Sequence, residues 1–213
     1  MHPLSKLRME YSKATLDVST VSTNPTEQFE RWFHEALDAK VPEPNAMTLS
    51  TVNEDNRPSS RIVLLKGIEH NKFIFYTNYQ SSKGKALDKN SACALNFFWP
   101  ELERQIRIEG IADRMDEARS VLYFQSRPRG SQIGAWTSPQ STIIQDRKIL
   151  EERIAQIEKR FEGMSVLPKP KQWGGFEVTP LLIEFWQGRA SRLHDRIQYH
   201  KNGEQWSVHR LAP

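Results

Sequence analysis

What the chain lacks narrows its chemistry first. It has one cysteine, Cys93, inside the apolar run Ala92-Cys93-Ala94-Leu95. That excludes a disulfide framework and any site built from several thiolates, and it suits a reducing compartment, so the expected location is cytoplasmic. No run approaches the roughly 18 apolar residues of a membrane span. Met1-His2-Pro3-Leu4-Ser5-Lys6 lacks the apolar stretch of a signal peptide. The ten glycines never fall as Gly-x-Gly, so neither a dinucleotide fingerprint nor a Walker loop is present. Any phosphate must be held by side chains or helix ends. His2, His34, His70, His194, His200 and His209 show no metal-binding spacing, so no metal is expected. The Gly-x-Ser-x-Gly elbow is also missing, which argues against nucleophilic hydrolysis. A net charge of +4, from 30 Lys+Arg against 26 Asp+Glu, is too small to suggest nucleic acid.

What remains is an ordinary globular composition, 38% hydrophobic over 213 residues, with six tryptophans spread along the chain. Residues 1–23 are polar, with Leu4, Leu7 and Tyr11 as candidate anchors. They read as an arm or lid, and residues 24–213 as one domain. Asn24-Pro25-Thr26-Glu27 predicts a helix start, followed by Phe29, Trp32, Phe33, Ala36 and Leu37 at helical spacing and closed by Pro42 and Pro44. Strands are expected over Met47–Val52, Ser59–Leu65, Phe73–Thr77, Cys93–Trp99 and Gln105–Ala112, with a short helix over Ser81–Asn90. A helical stretch follows from about Asp116 to Phe161. Strands return over Gly175–Val178, Leu182–Gln187, Ile197–His200 and Trp206–Leu211. Short strands at close spacing predict an antiparallel barrel with helices around it, a mainly β, or α+β, fold.

Four polar clusters stand out. Arg61-Ile62-Val63-Leu64-Leu65-Lys66 brackets four aliphatic residues with cations. In a strand, Arg61 and Lys66 would start on opposite faces and offer separate anion contacts, or simply keep a buried strand soluble. Tyr76 to Lys85 reads as strand end, loop and helix start, suited to a phosphate or to ordinary capping. Tyr123 and Arg127 are helical neighbours, Pro128 should end their helix, and Ser131 could cap the next, giving a dianion cradle. Arg192-Leu193-His194-Asp195-Arg196 is dense for a structural turn, and its arginines suit bidentate recognition of phosphate or carboxylate.

These clusters, in this order, resemble the pyridoxine 5′-phosphate oxidase family of FMN enzymes. The likeness runs from Leu7-Arg8-Met9-Glu10-Tyr11 to Arg210-Leu211-Ala212-Pro213. Ser126-Arg127-Pro128-Arg129, Ser131 to Trp136, and Glu184-Phe185-Trp186-Gln187-Gly188 carry it most specifically. The resemblance implies an FMN-binding split β-barrel that works as a homodimer, with FMN at the interface. It implies oxidation of pyridoxine 5′-phosphate and pyridoxamine 5′-phosphate to pyridoxal 5′-phosphate, with oxygen reduced to hydrogen peroxide. FMN would be held by Arg61, Ile62, Val63, Leu64, Leu65, Lys66, Tyr76, Thr77, Ser82, Lys83, Gln105, Gln140, Ser141, Trp186 and Arg196. The substrate phosphate would meet Lys66, Tyr123, Arg127 and Ser131. Arg192 and His194 would lie over the pyridine ring as the catalytic pair, and Arg8 and Tyr11 would cover the pocket.

One position departs from the pattern: the family reads Ser-Arg-Lys where this chain has Ser81-Ser82-Lys83. A lost charge-assisted hydrogen bond, about 1.5–3 kcal/mol, predicts FMN binding weaker by several-fold to about a hundred-fold, with Lys85 a candidate to compensate. Three other readings stand beside this one: a split-barrel flavoprotein using a nicotinamide donor, a pyridoxal-phosphate carrier, and a basic RNA-binding module. The Tyr123/Arg127/Ser131 cradle argues against the first, and the low charge against the last.

Overall fold

Alternation of apolar and polar residues builds the sheet. In a computed structural model of the chain, which describes Leu4 and residues 9–213, β1 (Ala46–Val52) buries Met47, Leu49 and Thr51 and leaves the residues between them half-exposed. The remaining strands are β2 (Pro58–Leu64), β3 (Gly67–Glu69), β4 (Lys72–Asn78), β5 (Ala92–Trp99), β6 (Arg104–Arg114), β7 (Trp173–Gln187), β8 (Asp195–Asn202) and β9 (Gln205–Leu211). They form one antiparallel sheet in the order β2-β1-β5-β6-β7-β4-β3, with β8 and β9 branching from β7.

The branch explains the split of the barrel. The two strands expected over 175–178 and 182–187 are one, β7, whose first half pairs with β4 and whose second half pairs with β8. Pro180 interrupts the apolar pattern because it sits opposite Gly110 at a register shift in β6. A bulge is where a sheet tolerates a residue without an amide proton.

Helix α1 (Pro25–Asp38) starts as its cap predicts, with the Thr26 amide donating to Asn24 Oδ1 at 2.9 Å. It ends at Asp38, before either proline. Phe29 and Trp32 enter the barrel edge-on to Phe73, Phe97 and Phe185, and this aromatic core is almost fully buried. The stretch expected to be helical from 116 to 161 is three helices, α3 (Glu117–Ser126), α4 (Arg129–Thr137) and α5 (Lys148–Arg160), separated at Pro128 and by residues 138–147. Phe124, Ile133, Phe161, Leu167 and Trp173 form a second core beneath them.

The polar N-terminal segment is more firmly docked than its composition suggests. Leu16 joins the main core, and the Tyr199 hydroxyl donates to the Ser22 carbonyl at 2.6 Å. Leu7 and Arg8 lie outside the described residues. No described helix is long and apolar enough to cross a membrane.

Candidate active site

Edge strand β2, the end of β4, the start of α2 (Ser82–Lys89), and helices α3 and α4 enclose a cavity of about 780 Å³. Arg61, Lys66, Lys83 and Arg127 all line it, and among the described residues no aspartate or glutamate does. Four cations facing one another without a counter-charge are unfavourable unless an anion joins them.

Two of these cations, Arg61 and Lys83, are held by neutral groups. Arg61 donates to the Leu49 carbonyl at 3.1 Å, to Thr51 Oγ1 at 2.8 Å and to Ser59 Oγ at 2.6 Å. Lys83 is buried and donates to Thr77 Oγ1 and Gln140 Oε1, both at 3.1 Å, and to Ser81 Oγ at 3.3 Å. Burial lowers its pKa, and Arg61 lowers it further. Helix α2 can place Lys83 so deep because Gly84 has no side chain: a β-carbon there would overlap the Tyr79 carbonyl.

Arg127 follows the last turn of α3 in extended geometry, as Pro128 requires. Its guanidinium lies 4.6 Å from the centroid of Trp173, and burial lowers its pKa. Its Nη1 is buried with no hydrogen-bond partner among the described residues. Such an orphaned charged donor is rare in folded proteins. Tyr123 stacks on Tyr76 at 3.7 Å, and both rings lie nearly parallel to Trp173. Burial raises both phenol pKa values, Tyr76 to about 12, so both hydroxyls remain donors at neutral pH.

Two sequence expectations are corrected here. Arg61 and Lys66 serve one cavity rather than opposite faces, because β2 ends at Leu64 and the chain turns, the Lys66 amide donating to the Ile74 carbonyl. Ser131 does not cap α4. That helix begins at Arg129, and Ser131 sits in its first turn, facing the same cavity. Lys85, the candidate substitute for the missing arginine, lines a separate, smaller cavity with Gln80, Pro139 and Thr142, whereas Ser82 lines the large one.

The other expected residues lie elsewhere on the chain. Gln105, Trp186 and Arg196 are direct partners across β6, β7 and β8, so they form one row on the sheet face opposite the core. Ile62, Thr48, Asn96, Arg107 and Glu184 form the neighbouring row, and Ile62 and Phe98 are exposed apolar residues on this face. Arg196 is engaged bidentately by the buried Glu184, at 2.8 and 3.0 Å.

Beside this row, Tyr11, Arg189, Arg192 and His194 line a second cavity of about 580 Å³. The Arg189 amide donates to His194 Nδ1 at 3.1 Å. The neutral imidazole therefore carries its proton on Nε2. Burial, then the Arg192 charge, lowers the His194 pKa. Trp186 lies 4.5 Å from His194, and Tyr11 meets both rings. The structure thus gathers Arg61 to Leu64, Lys66, Tyr76, Thr77, Ser82, Lys83, Tyr123, Arg127, Ser131, Gln140 and Ser141 in one cavity, and Tyr11, Arg192 and His194 in another. Leu65 is buried in the core, and Arg8 lies outside the described residues.

Trp173 is the wall residue that sequence reading missed. As a lone tryptophan at a strand start it signals only burial, and its stacking partners lie about 50 and 100 residues away along the chain.

Comparison with known proteins aligns with this geometry. Residues 33–161 match the family model described as pyridoxamine 5′-phosphate oxidase, and residues 173–213 match the pyridoxine 5′-phosphate oxidase C-terminal dimerisation region. Proteins named pyridoxine/pyridoxamine 5′-phosphate oxidase from Acaryochloris marina and Synechocystis are 50% and 51% identical over 99% of this chain and 95% and 98% of theirs. One from Burkholderia mallei is 51% identical over the full length of both chains. Among solved structures, PhzG from Burkholderia lata in complex with tetrahydrophenazine-1-carboxylic acid superposes with a TM-score of 0.86 at 29% identity, covering 94% of this chain and all of that one. An FMN binding protein from Nostoc punctiforme, 18% identical with a TM-score of 0.70, shares the fold over 91% of this chain and all of its own.

Proposed function

The chain belongs to the pyridoxine/pyridoxamine 5′-phosphate oxidase family and is an oxidoreductase with FMN as its cofactor, and from that premise we propose that it oxidises pyridoxine 5′-phosphate and pyridoxamine 5′-phosphate to pyridoxal 5′-phosphate with oxygen as the final acceptor. For the amine, one water and one oxygen are consumed, and ammonia and hydrogen peroxide are released. The observation that carries this reading is the cavity of Arg61, Lys66, Lys83 and Arg127 without a carboxylate, together with the unpartnered Arg127 Nη1. The reaction brings two phosphate monoesters to one place, that of FMN and that of the substrate. A site with several desolvated cations, and no acid to neutralise them, fits both.

In this reading Arg61, Thr77, Ser82, Lys83, Gln140 and Ser141 hold FMN beside the backbone of residues 62–66. Tyr123, Arg127, Ser131 and Lys66 hold the substrate phosphate, and the high phenol pKa keeps Tyr123 a donor toward it. Bound FMN supplies the two-electron acceptor. Fixing the phosphate orients the far end of the substrate, and positioning supplies much of the rate.

Arg192 and His194 orient the pyridine ring, His194 neutral and donating through Nε2. They lie in a different cavity from Arg127 on the same protomer. We therefore place each site between two copies of the chain, one contributing the cationic cavity and the other Gln105, Trp186, Arg192, His194 and Arg196. The exposed Ile62 and Phe98 on the outer sheet face and the match to a dimerisation region support this.

The test is an aerobic assay of the purified protein with added FMN and each substrate. Pyridoxal 5′-phosphate and peroxide in equal amounts are expected. Tight FMN binding with no product from either substrate would contradict the reading and favour a different flavin reductase.

A further inference from the structure

The cationic residues explain how phosphate is gripped but not what holds Tyr11 in place, and two residues outside both cavities supply that. Glu103 follows a short 3-10 turn (Pro100–Leu102) between β5 and β6, is buried, and has a left-handed φ of 53°. Its Oε2 accepts hydrogen bonds from the backbone amides of Ser12 at 2.8 Å and Lys13 at 3.0 Å, immediately after Tyr11. Its carbonyl accepts from the Gly188 amide at 2.8 Å and from Gln187 Nε2 at 3.3 Å. One residue thus ties the root of the N-terminal arm to the end of β7.

Gly188 completes the seat. A β-carbon there would lie 2.7 Å from Tyr11 Cβ and Cγ and 3.0 Å from Glu103 Cβ. Only a residue without a side chain lets the tyrosine ring come down against Trp186, at 5.7 Å edge-on, and His194, at 5.9 Å. Further along, Arg189 donates to the Ala14 carbonyl, the Leu16 amide donates to Asp195, and Arg210 donates to the Leu16 carbonyl and to Asp17. Residues 11–17 are therefore fastened to the 188–195 segment and to Arg210 of β9 at several points.

We propose that Glu103 and Gly188 are positioning residues that seat Tyr11 over the His194 segment and so set how tightly substrate is enclosed. The proposal rests on the oxidase reading for the identity of the substrate, but not for the seat itself. Neither residue lines either cavity, so each acts on the site indirectly, through the Tyr11 ring it seats.

The test is steady-state kinetics with pyridoxamine 5′-phosphate on FMN-loaded E103A, E103Q, G188A and Y11A, and on the double variant E103A/Y11A. Losing a hydrogen bond to a charged group corresponds to about ten-fold, so E103A should raise KM by about that factor with little change in kcat, and G188A, whose β-carbon would press on Tyr11, should raise KM in the same direction. E103Q keeps an acceptor oxygen for both amides and should stay within about two- to three-fold of the parent. The double variant should match Y11A alone, since residues acting through one contact are not additive. An unchanged KM in E103A, or effects that simply add to Y11A, would overturn the proposal, because a merely structural role predicts additivity. Should the parent turn over neither substrate, the oxidase reading fails separately, and amide exchange decides the seat. Faster exchange at residues 11–13 in E103A supports it, and unchanged exchange refutes it.

Discussion

Two regions of the protomer are dense in arginine and lysine, and they treat those charges in opposite ways. Around Glu184 every cation is answered: Arg196 is held by both carboxylate oxygens, and Arg107 reaches the same side chain at 3.3 Å. Around Arg127 the cations face neutral oxygens and aromatic rings, and one guanidinium nitrogen has no hydrogen-bond partner among the described residues. Paired cations such as Arg196 are fixed by the fold itself, whereas desolvated unpaired ones carry a cost that, on the proposed reading, a bound anion relieves. Counting arginines along the sequence does not separate the two regions. Identifying the partners does.

That contrast can be broken by substitution, beginning where the effect should be largest. On the proposed reading Arg127→Gln removes a charged contact to the substrate phosphate, and kcat/KM should fall by about a thousand-fold if two hydrogen bonds of about 2 kcal/mol each go with it. Thermal stability should hold or rise, because an unsatisfied buried charge goes with it. A loss of stability would mean that Arg127 is scaffold after all.

Glu184→Gln should do the reverse. It takes the carboxylate from Arg196 and leaves Arg107 only Glu109, at 3.1 Å, so stability should fall by about 1–3 kcal/mol, read as a lower midpoint in denaturant. Arg192→Gln should lower kcat by about a hundred-fold while FMN content and unfolding midpoint stay at parent values, since Arg192 is exposed and lies outside the core. A flavin-free or unfolded variant would show the effect to be structural.

Ser82→Arg adds a cation to the cavity wall and should tighten the FMN dissociation constant by about ten-fold or more. An unchanged constant would show that the buried Lys83 and Arg61 already saturate the phosphate.

The smallest effect concerns pH. His194 has a pKa lowered by burial and by Arg192, so its neutral form persists below the ordinary imidazole value of about 6.5. The contribution of neutral His194 is then complete at neutral pH and lost only as pH falls through that lowered value, when protonation breaks the Arg189 amide bond to Nδ1. The acid limb of kcat/KM should lie below about 6.5. A limb at or above it would contradict the assignment.

Much of this was legible in the sequence, where local chemistry decides. Asn24 and Ser81 cap the helices their spacing announces, and Pro128 holds Arg127 extended. Strand alternation located most of the sheet. The errors came where a distant contact overrides a local rule. Ser131 resembled a cap, but α4 starts two residues earlier. Periodicity set Arg61 and Lys66 on opposite faces, but the strand ends between them. Pro180 divides one long strand into two apparent ones, because the bulge beside it, at Leu181, shows only in the pairing with Glu109 and Gly110, about 70 residues away. Leu16, in a polar segment, and Trp173, at a strand start just after a proline-rich loop, draw their roles entirely from residues far along the chain.

The most direct test of the central claim is an anaerobic absorption spectrum of the FMN-loaded protein before and after adding pyridoxine 5′-phosphate, run in parallel on Arg127→Gln. The parent flavin should bleach on mixing and recover with release of peroxide when air is admitted, and the variant should need far more substrate to bleach. A parent flavin that stays oxidised, or a variant that bleaches at the same substrate concentration, would contradict the assignment of the unpaired cation to the substrate phosphate.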